Sequence, residues 1–209
     1  MKKLILIEHP VALHKLARLR DKETQSSQFR DLMAELARLL AYEATRDLKM
    51  KEVSIETPLA KTSVKIVEDF PIVISIMRAG NGMLDGILSM LPRASAGHIG
   101  MYRDKFINHT IEYFFRMPER SKGRMVLLAE PLLATGDTAI ASIDRLKQFG
   151  VGKIRLLCLV VSPEGLQKLH HIHPDVEVFA LAQDAGLDSE GNLLPGIGDA
   201  GNRLYNTKD

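Results

Sequence analysis

From Ile72 onward, apolar runs of strand length alternate with amphipathic stretches of helical spacing, and no other feature restricts the fold of this chain so much. The runs are Ile72–Met77, Met125–Glu130, Ile154–Val161 and Val176–Ala182, and the stretches that follow the first three are Met83–Leu91, Thr138–Phe149 and Glu164–His171. Strands that are apolar almost throughout, not merely at alternate positions, are covered on both faces. Alternating with helices, they predict an α/β fold with a mostly parallel central sheet flanked by helices. In such sheets ligands bind beyond the carboxyl ends of the strands, so the loops there are where chemistry is to be sought.

The remaining segments fit around this frame. Ser26–Leu48 carries Phe29, Leu32, Met33, Leu36, Leu39 and Leu40 at helical spacing. Val53–Thr57 and Ser63–Val67, on either side of Pro58, read as a small accessory hairpin, and Ala96–Arg103 and Thr110–Met117 as strands joined by a polar loop. The opening Met1-Lys-Lys-Leu-Ile-Leu-Ile7 imitates a secretory start, but Glu8 and His9 end its apolar run and it reads as a first strand. With no repeat, low-complexity tract or linker, residues 1–209 are expected to form a single domain.

Several function classes are disfavoured. No stretch approaches the roughly 18 apolar residues of a membrane span. The net charge is +2 and the basic residues are scattered, which is no footprint for nucleic acid. Cys158 is the only cysteine, so no internal disulfide forms; within the apolar run Arg155–Val161 it is expected to be a buried, inert thiol. The missing disulfides and targeting signal predict a cytoplasmic location. His170, His171 and His173 have no standard metal spacing and are expected at a solvated helix end, and Glu112 and Glu119 are assigned to the surface.

The most informative stretch runs from the Met125–Glu130 strand through Pro131-Leu-Leu-Ala-Thr-Gly-Asp-Thr138 into a helix. Gly136 permits a positive backbone angle and close ligand approach, and free amides at the following helix start form a phosphate site. Thr135 and Thr138 add hydroxyls, and the Glu130 carboxylate suits sugar hydroxyls. Taken alone, these residues read equally as a turn with a helix cap. The absence of a Gly-Lys-Ser/Thr ending argues against a nucleoside-triphosphatase loop.

With its neighbours, this stretch resembles the phosphoribosyl pyrophosphate (PRPP) loop of type I phosphoribosyltransferases, and the single acid followed by Pro-Leu-Leu-Ala-Thr-Gly is similar to the uracil-specific version. Met77-Arg-Ala-Gly80, Gly97-His-Ile-Gly-Met-Tyr-Arg-Asp104 and Pro195-Gly-Ile-Gly-Asp-Ala-Gly201 agree in order and spacing, as do Arg203 and Thr207-Lys208 near the chain end. Glu8-His-Pro10, Arg20-Asp-Lys22 and Leu40-Ala-Tyr-Glu-Ala-Thr-Arg46 also resemble family landmarks. The likeness spans essentially the whole chain.

The resemblance implies a type I phosphoribosyltransferase fold with a small hairpin or hood element. It implies a pentosyltransferase, converting uracil and PRPP to UMP and pyrophosphate in pyrimidine salvage. Ala134, Thr135, Gly136, Asp137 and Thr138 would grip the 5′-phosphate, with Pro131, Leu132 and Leu133 completing the loop and Glu130 toward the ribose. Arg78 and Arg103 would hold the pyrophosphate, whose charge grows as the bond breaks. Backbone groups of Leu193, Gly198 and Ala200 would read the uracil edge. Asp199 would lie between base and pyrophosphate, near a magnesium ion or its water; Asp199 and Arg103 are the catalytic candidates. Mg²⁺ is expected through PRPP and water, with no direct protein ligand assigned. Homodimers or homotetramers are implied, with GTP activation in some members.

Six positions depart from the usual family residues: Glu130 for aspartate, Asp137 for glycine, Ser75 for proline, Leu132 for methionine, Asn192 for tyrosine and Asn202 for aspartate. If Asp137 faces inward it repels phosphate; if outward it caps the helix. These departures keep two alternatives open: a pyrimidine-nucleotide sensor or RNA-binding regulator on the same fold, and a relative that has lost catalysis.

Overall fold

A computed structural model describes residues 4–104 and 109–207. In chain order the elements are β1 (Leu4–Leu6), α1 (Pro10–Arg20), α2 (Ser26–Ala44), β2 (Met50–Glu56), β3 (Lys61–Val67), β4 (Ile72–Met77), α3 (Asn81–Met90), β5 (Ser95–Asp104) and β6 (His109–Arg116). There follow β7 (Val126–Ala129), β8 (Leu132–Leu133), α4 (Asp137–Phe149), β9 (Ile154–Val161), α5 (Pro163–Ile172), β10 (Glu177–Gln183), β11 (Gly186–Leu187), β12 (Leu193–Leu194) and α6 (Ala200–Tyr205).

The main sheet has the order β1-β10-β9-β7-β4-β5-β6, with β8 appended to β9; every pairing is parallel except β5 with β6. Both faces are covered. Val73, Leu127, Ala129 and Leu157 join a core with Phe29, Met33 and Leu36 of α2 and Met83 and Ile87 of α3. Ile72, Ile74, Ile76, Val126 and Leu128 join a second core with Ile140, Ile143 and Leu146 of α4 and Leu166 and Leu169 of α5. Successive residues of one strand thus enter opposite cores, which is why the strand sequences are continuous in hydrophobicity.

The sequence boundaries hold closely for β4 and β9. The long helix ends at Ala44, four residues before the expected Leu48. There Thr45 Oγ1 donates back to the Ala41 carbonyl at 2.7 Å, and Asp47 is drawn to Arg155 at 2.5 Å. Arg155, on β9, is itself buried and satisfied by Asp47, Glu177 and the Ala44 carbonyl. Helix α1 has no counterpart among the sequence-level assignments, although Pro10 at its start and Arg18 and Arg20 in its last turn are helix-end signals. The hairpin of β2 and β3 forms a separate two-stranded sheet. Cys158 is buried, and burial raises its thiol well above the ordinary range, with the Glu130 carboxyl adding to the rise. His173 is also buried, beside Lys147 and Asp144, and so is not the solvated residue expected from its sequence position. Among the described residues no helix is long and apolar enough to cross a membrane.

Candidate functional site

The carboxyl ends of β5, β4 and β7 lie side by side, because Ser75 of β4 is in register with both Ala129 of β7 and His98 of β5. This places Glu130, Arg78 and the backbone of Arg103 along one edge of the sheet. The side chain of Arg103 lies outside the described residues, as does Lys208.

The loop after β7 wraps the start of α4. Gly136 takes φ +83° at the cap of the helix, where the chain turns sharply, and the first-turn amides of α4 lack partners within the helix. Residues 132–139, with Glu130, enclose a small cradle of about 70 Å³. Helix α5 buttresses it from behind. Ser162, the cap of α5, donates to the Ala134 carbonyl at 2.6 Å while accepting from the Gly165 amide at 2.8 Å. A β-carbon on Gly165 would stand 2.2 Å from the Ala134 carbonyl oxygen, so only glycine allows this approach. The Thr135 hydroxyl donates to Asp137 at 2.9 Å, and the same carboxylate receives Lys168 of α5 at 2.5 Å.

A larger cavity of about 530 Å³ opens beside the cradle, and the two share Glu130, Leu132 and Ala134. Its opposite wall is the glycine-rich segment: Leu193, Gly198, Asp199 and Ala200 line it, together with Gly191, Asn192, Ile197 and Gly201. Asp199 is exposed and caps α6, accepting from the Asn202 amide at 2.8 Å. Arg78 stands at the rim; a β-carbon on Gly201 would be 3.5 Å from its guanidinium. It donates to the Asn202 side chain at 3.2 Å and lies 5.9 Å from the Tyr205 ring centroid. Asn192 turns to Asp188, which holds its side chain at 3.0 Å and its amide at 2.9 Å.

Glu130 joins the two spaces and is the most perturbed group of the site. Burial pushes its carboxyl up to about 8, and its Oε2 is enclosed without a hydrogen-bond partner. An orphaned carboxyl oxygen on a residue that lines both spaces marks Glu130 as a candidate ligand contact. Sugar hydroxyls that donate to it would favour its ionised form.

The sequence assigns no supporting role to the residues that hold these walls in place, although Arg20 and Arg203 lie in family-like stretches and Ser75 is a departure from the family residue. Arg20, at the end of α1, grips buried Asp184 through two bonds of 3.0 and 2.6 Å and donates to the Gly196 carbonyl at 2.7 Å; Asp184 in turn accepts from the Gly196 amide at 2.7 Å. Arg203 donates to the carbonyls of Leu19, Ile197 and Asp21, tying the same segment to α1. Ser75, buried, bonds Asn81 at 2.7 Å and His98 at 2.8 Å, fixing the start of α3 beside Arg78. Arg20 was singled out only as part of a short landmark; the lone Asp184 at a strand end carries no local signal. Among the described residues no group of three or more acids, histidines or cysteines could hold a metal ion.

A mostly parallel sheet, a small cradle beyond one central strand and a glycine-rich wall facing it have the architecture of a type I phosphoribosyltransferase. Adenine phosphoribosyltransferase of Leishmania donovani superposes with a TM-score of 0.57 at 13% identity, covering 90% of this chain and 86% of that one, a likeness in fold alone. The structure of the AQ2163 protein from Aquifex aeolicus matches with a TM-score of 0.92 at 30% identity, covering 98% and 99% of the two chains. Residues 6–207 match the family described as uracil phosphoribosyltransferase. The uracil phosphoribosyltransferase of Polaromonas naphthalenivorans is 46% identical over 209 residues, the full length of both chains. The chain belongs to the uracil phosphoribosyltransferase family.

Proposed function

We propose that this protein transfers the 5-phosphoribosyl group of PRPP to N1 of uracil, releasing pyrophosphate and forming UMP. The observation that carries the reading is the junction at Glu130: one cavity suited to a planar base meets a cradle suited to a phosphate, across a carboxyl suited to ribose hydroxyls.

In this reading the amides of residues 134–138 hold the 5′-phosphate and Glu130 orients the ribose. Arg78 and Arg103 take the pyrophosphate. Backbone groups of Leu193, Gly198 and Ala200 meet the uracil edge, and the close wall leaves out larger purines. N1 of uracil attacks the anomeric carbon as its bond to the pyrophosphate oxygen breaks; the N1 proton leaves to solvent or to the departing pyrophosphate. No covalent nucleophile is required. Alignment of two substrates supplies up to roughly 7–11 kcal/mol in favourable cases, and the arginines stabilise charge that grows on the leaving group.

The donor set fits a magnesium ion that arrives with its own ligands: Glu130 and Asp199 line the cavity, and among the described residues no group of three acids, histidines or cysteines could hold the ion. Bound there through water and PRPP oxygens, the ion would neutralise leaving-group charge. Homo-oligomers, GTP activation and a cytoplasmic location belong to the same reading; the exposed rings of Tyr102 on β5 and Tyr113 on β6, 6.1 Å apart, offer an apolar patch for assembly.

The test is magnesium-dependent formation of UMP from uracil and PRPP, with cytosine, hypoxanthine, adenine and orotate in parallel. Turnover of uracil alone is the expected result. Binding of PRPP without turnover of any base would replace the enzyme with a sensor or a decayed relative.

A further inference from the structure

Asp137 occupies the first turn of α4 and lines the cradle proposed for the 5′-phosphate. A free carboxylate there would oppose a phosphate carrying nearly two negative charges. Its Oδ1 lies 2.5 Å from the ammonium of Lys168, and its Oδ2 accepts from the Thr135 hydroxyl at 2.9 Å. Lys168 belongs to α5, the helix that Ser162 and Gly165 dock against Ala134. The contact that shapes the cradle therefore also sets the position of the cation. Both residues line a groove on the outer side of α4, where Arg145 is already paired with Glu112 at 3.0 Å and Asp144 adds another negative charge.

We propose that Lys168 is a positioning residue of the phosphate site: by pairing with Asp137 it holds that carboxylate on the α5 side and cancels its charge, so that the loop accepts a dianionic 5′-phosphate. The inference rests on the PRPP reading of this loop. Its reach is chemical: any ligand presenting a phosphomonoester to the cradle depends on the pair.

A double-mutant cycle tests it, with KM for PRPP, KM for uracil and kcat measured on the full chain, and calorimetric Kd for ribose 5-phosphate. Lys168→Ala is expected to raise KM for PRPP and Kd for ribose 5-phosphate roughly tenfold, because the compensation that Lys168 gives to a like charge is lost, with little change in kcat or in KM for uracil. Lys168→Arg retains affinity. In the Asp137→Gly background, Lys168→Ala has little effect, because the charge it covers is gone. Lys168 is half-exposed, so its variants fold; matched thermal midpoints check this, and Lys168→Gln serves as a second neutral variant. Equal losses in both backgrounds, or no loss in either, with the unmodified protein active, overturn the proposal. If the unmodified protein binds neither PRPP nor ribose 5-phosphate, the reading of the loop falls and the inference falls with it.

Discussion

Arg20 and Asp184 stand 164 residues apart in sequence and are joined by a two-pronged ion pair that encloses both backbone polar groups of Gly196. The pair anchors the glycine-rich wall of the larger cavity to the end of α1. Asp184→Ala leaves the Arg20 guanidinium and the Gly196 amide without their acceptor. The expected cost is about 3 kcal/mol of stability, read from urea unfolding, because one partner of a buried charged pair is removed. KM for uracil should rise several-fold while KM for PRPP changes little, since the cradle is held by other contacts.

Gly165→Ala tests the buttress from the other side. The new methyl would meet the Ala134 carbonyl oxygen at 2.2 Å, so the loop proposed to hold the phosphate, or α5, must shift. Misplacing the loop by about 1 Å is expected to lower kcat/KM for PRPP by around 10²-fold. Ser162→Ala removes the cap and the Ala134 contact without a clash, and should cost about 1 kcal/mol of stability with a smaller kinetic effect. Equal kinetic effects in the two variants would show that space is not the controlling factor.

Glu130 makes stability depend on pH in a stated direction. Its carboxyl is raised from 4.5 to about 8 by burial, so the folded protein binds this proton more tightly than the unfolded chain does. The contribution is fully present below about pH 4.5 and is lost as pH rises through about 8. The linked change is of the order of 3–5 kcal/mol. Glu130→Gln should remove this part of the slope and raise the thermal midpoint relative to the unmodified protein at pH 8–9, with the gap closing near pH 5. The same variant should bind PRPP more weakly, because the ribose hydroxyls lose an ionisable acceptor. Parallel midpoints of the two proteins across pH 5–9 would exclude a buried, neutral Glu130.

Arg78 is exposed and takes no part in either core, so Arg78→Ala should leave the thermal midpoint unchanged. Loss of one charged donor to the leaving group is expected to reduce kcat by about 10²-fold. Arg78→Lys should recover only part of this, because a single ammonium does not reproduce the guanidinium fork. Steady-state rates at saturating PRPP and uracil read both effects.

Much of this was legible along the chain because it is local or periodic. The bounds of β4 and β9 were set by runs of apolar residues that feed two cores, and the loop after β7 by a glycine placed between a buried strand and a helix start. The order and spacing of Met77–Gly80, Glu130–Thr138 and Pro195–Gly201 were enough to point to the family. What the sequence could not decide was which distant groups meet. Whether the Asp137 charge faces a phosphate or a cation depends on where α5 docks, and that is set by the fit of Gly165 against Ala134. Asp184 carries no motif and becomes an anchor only because α1 ends beside it; Glu130 becomes a perturbed acid only when the folded chain buries its carboxyl. Periodicity and turn chemistry act between neighbours in the chain, whereas burial and charge pairing act between neighbours in space, and only the packed sheet and helices determine those.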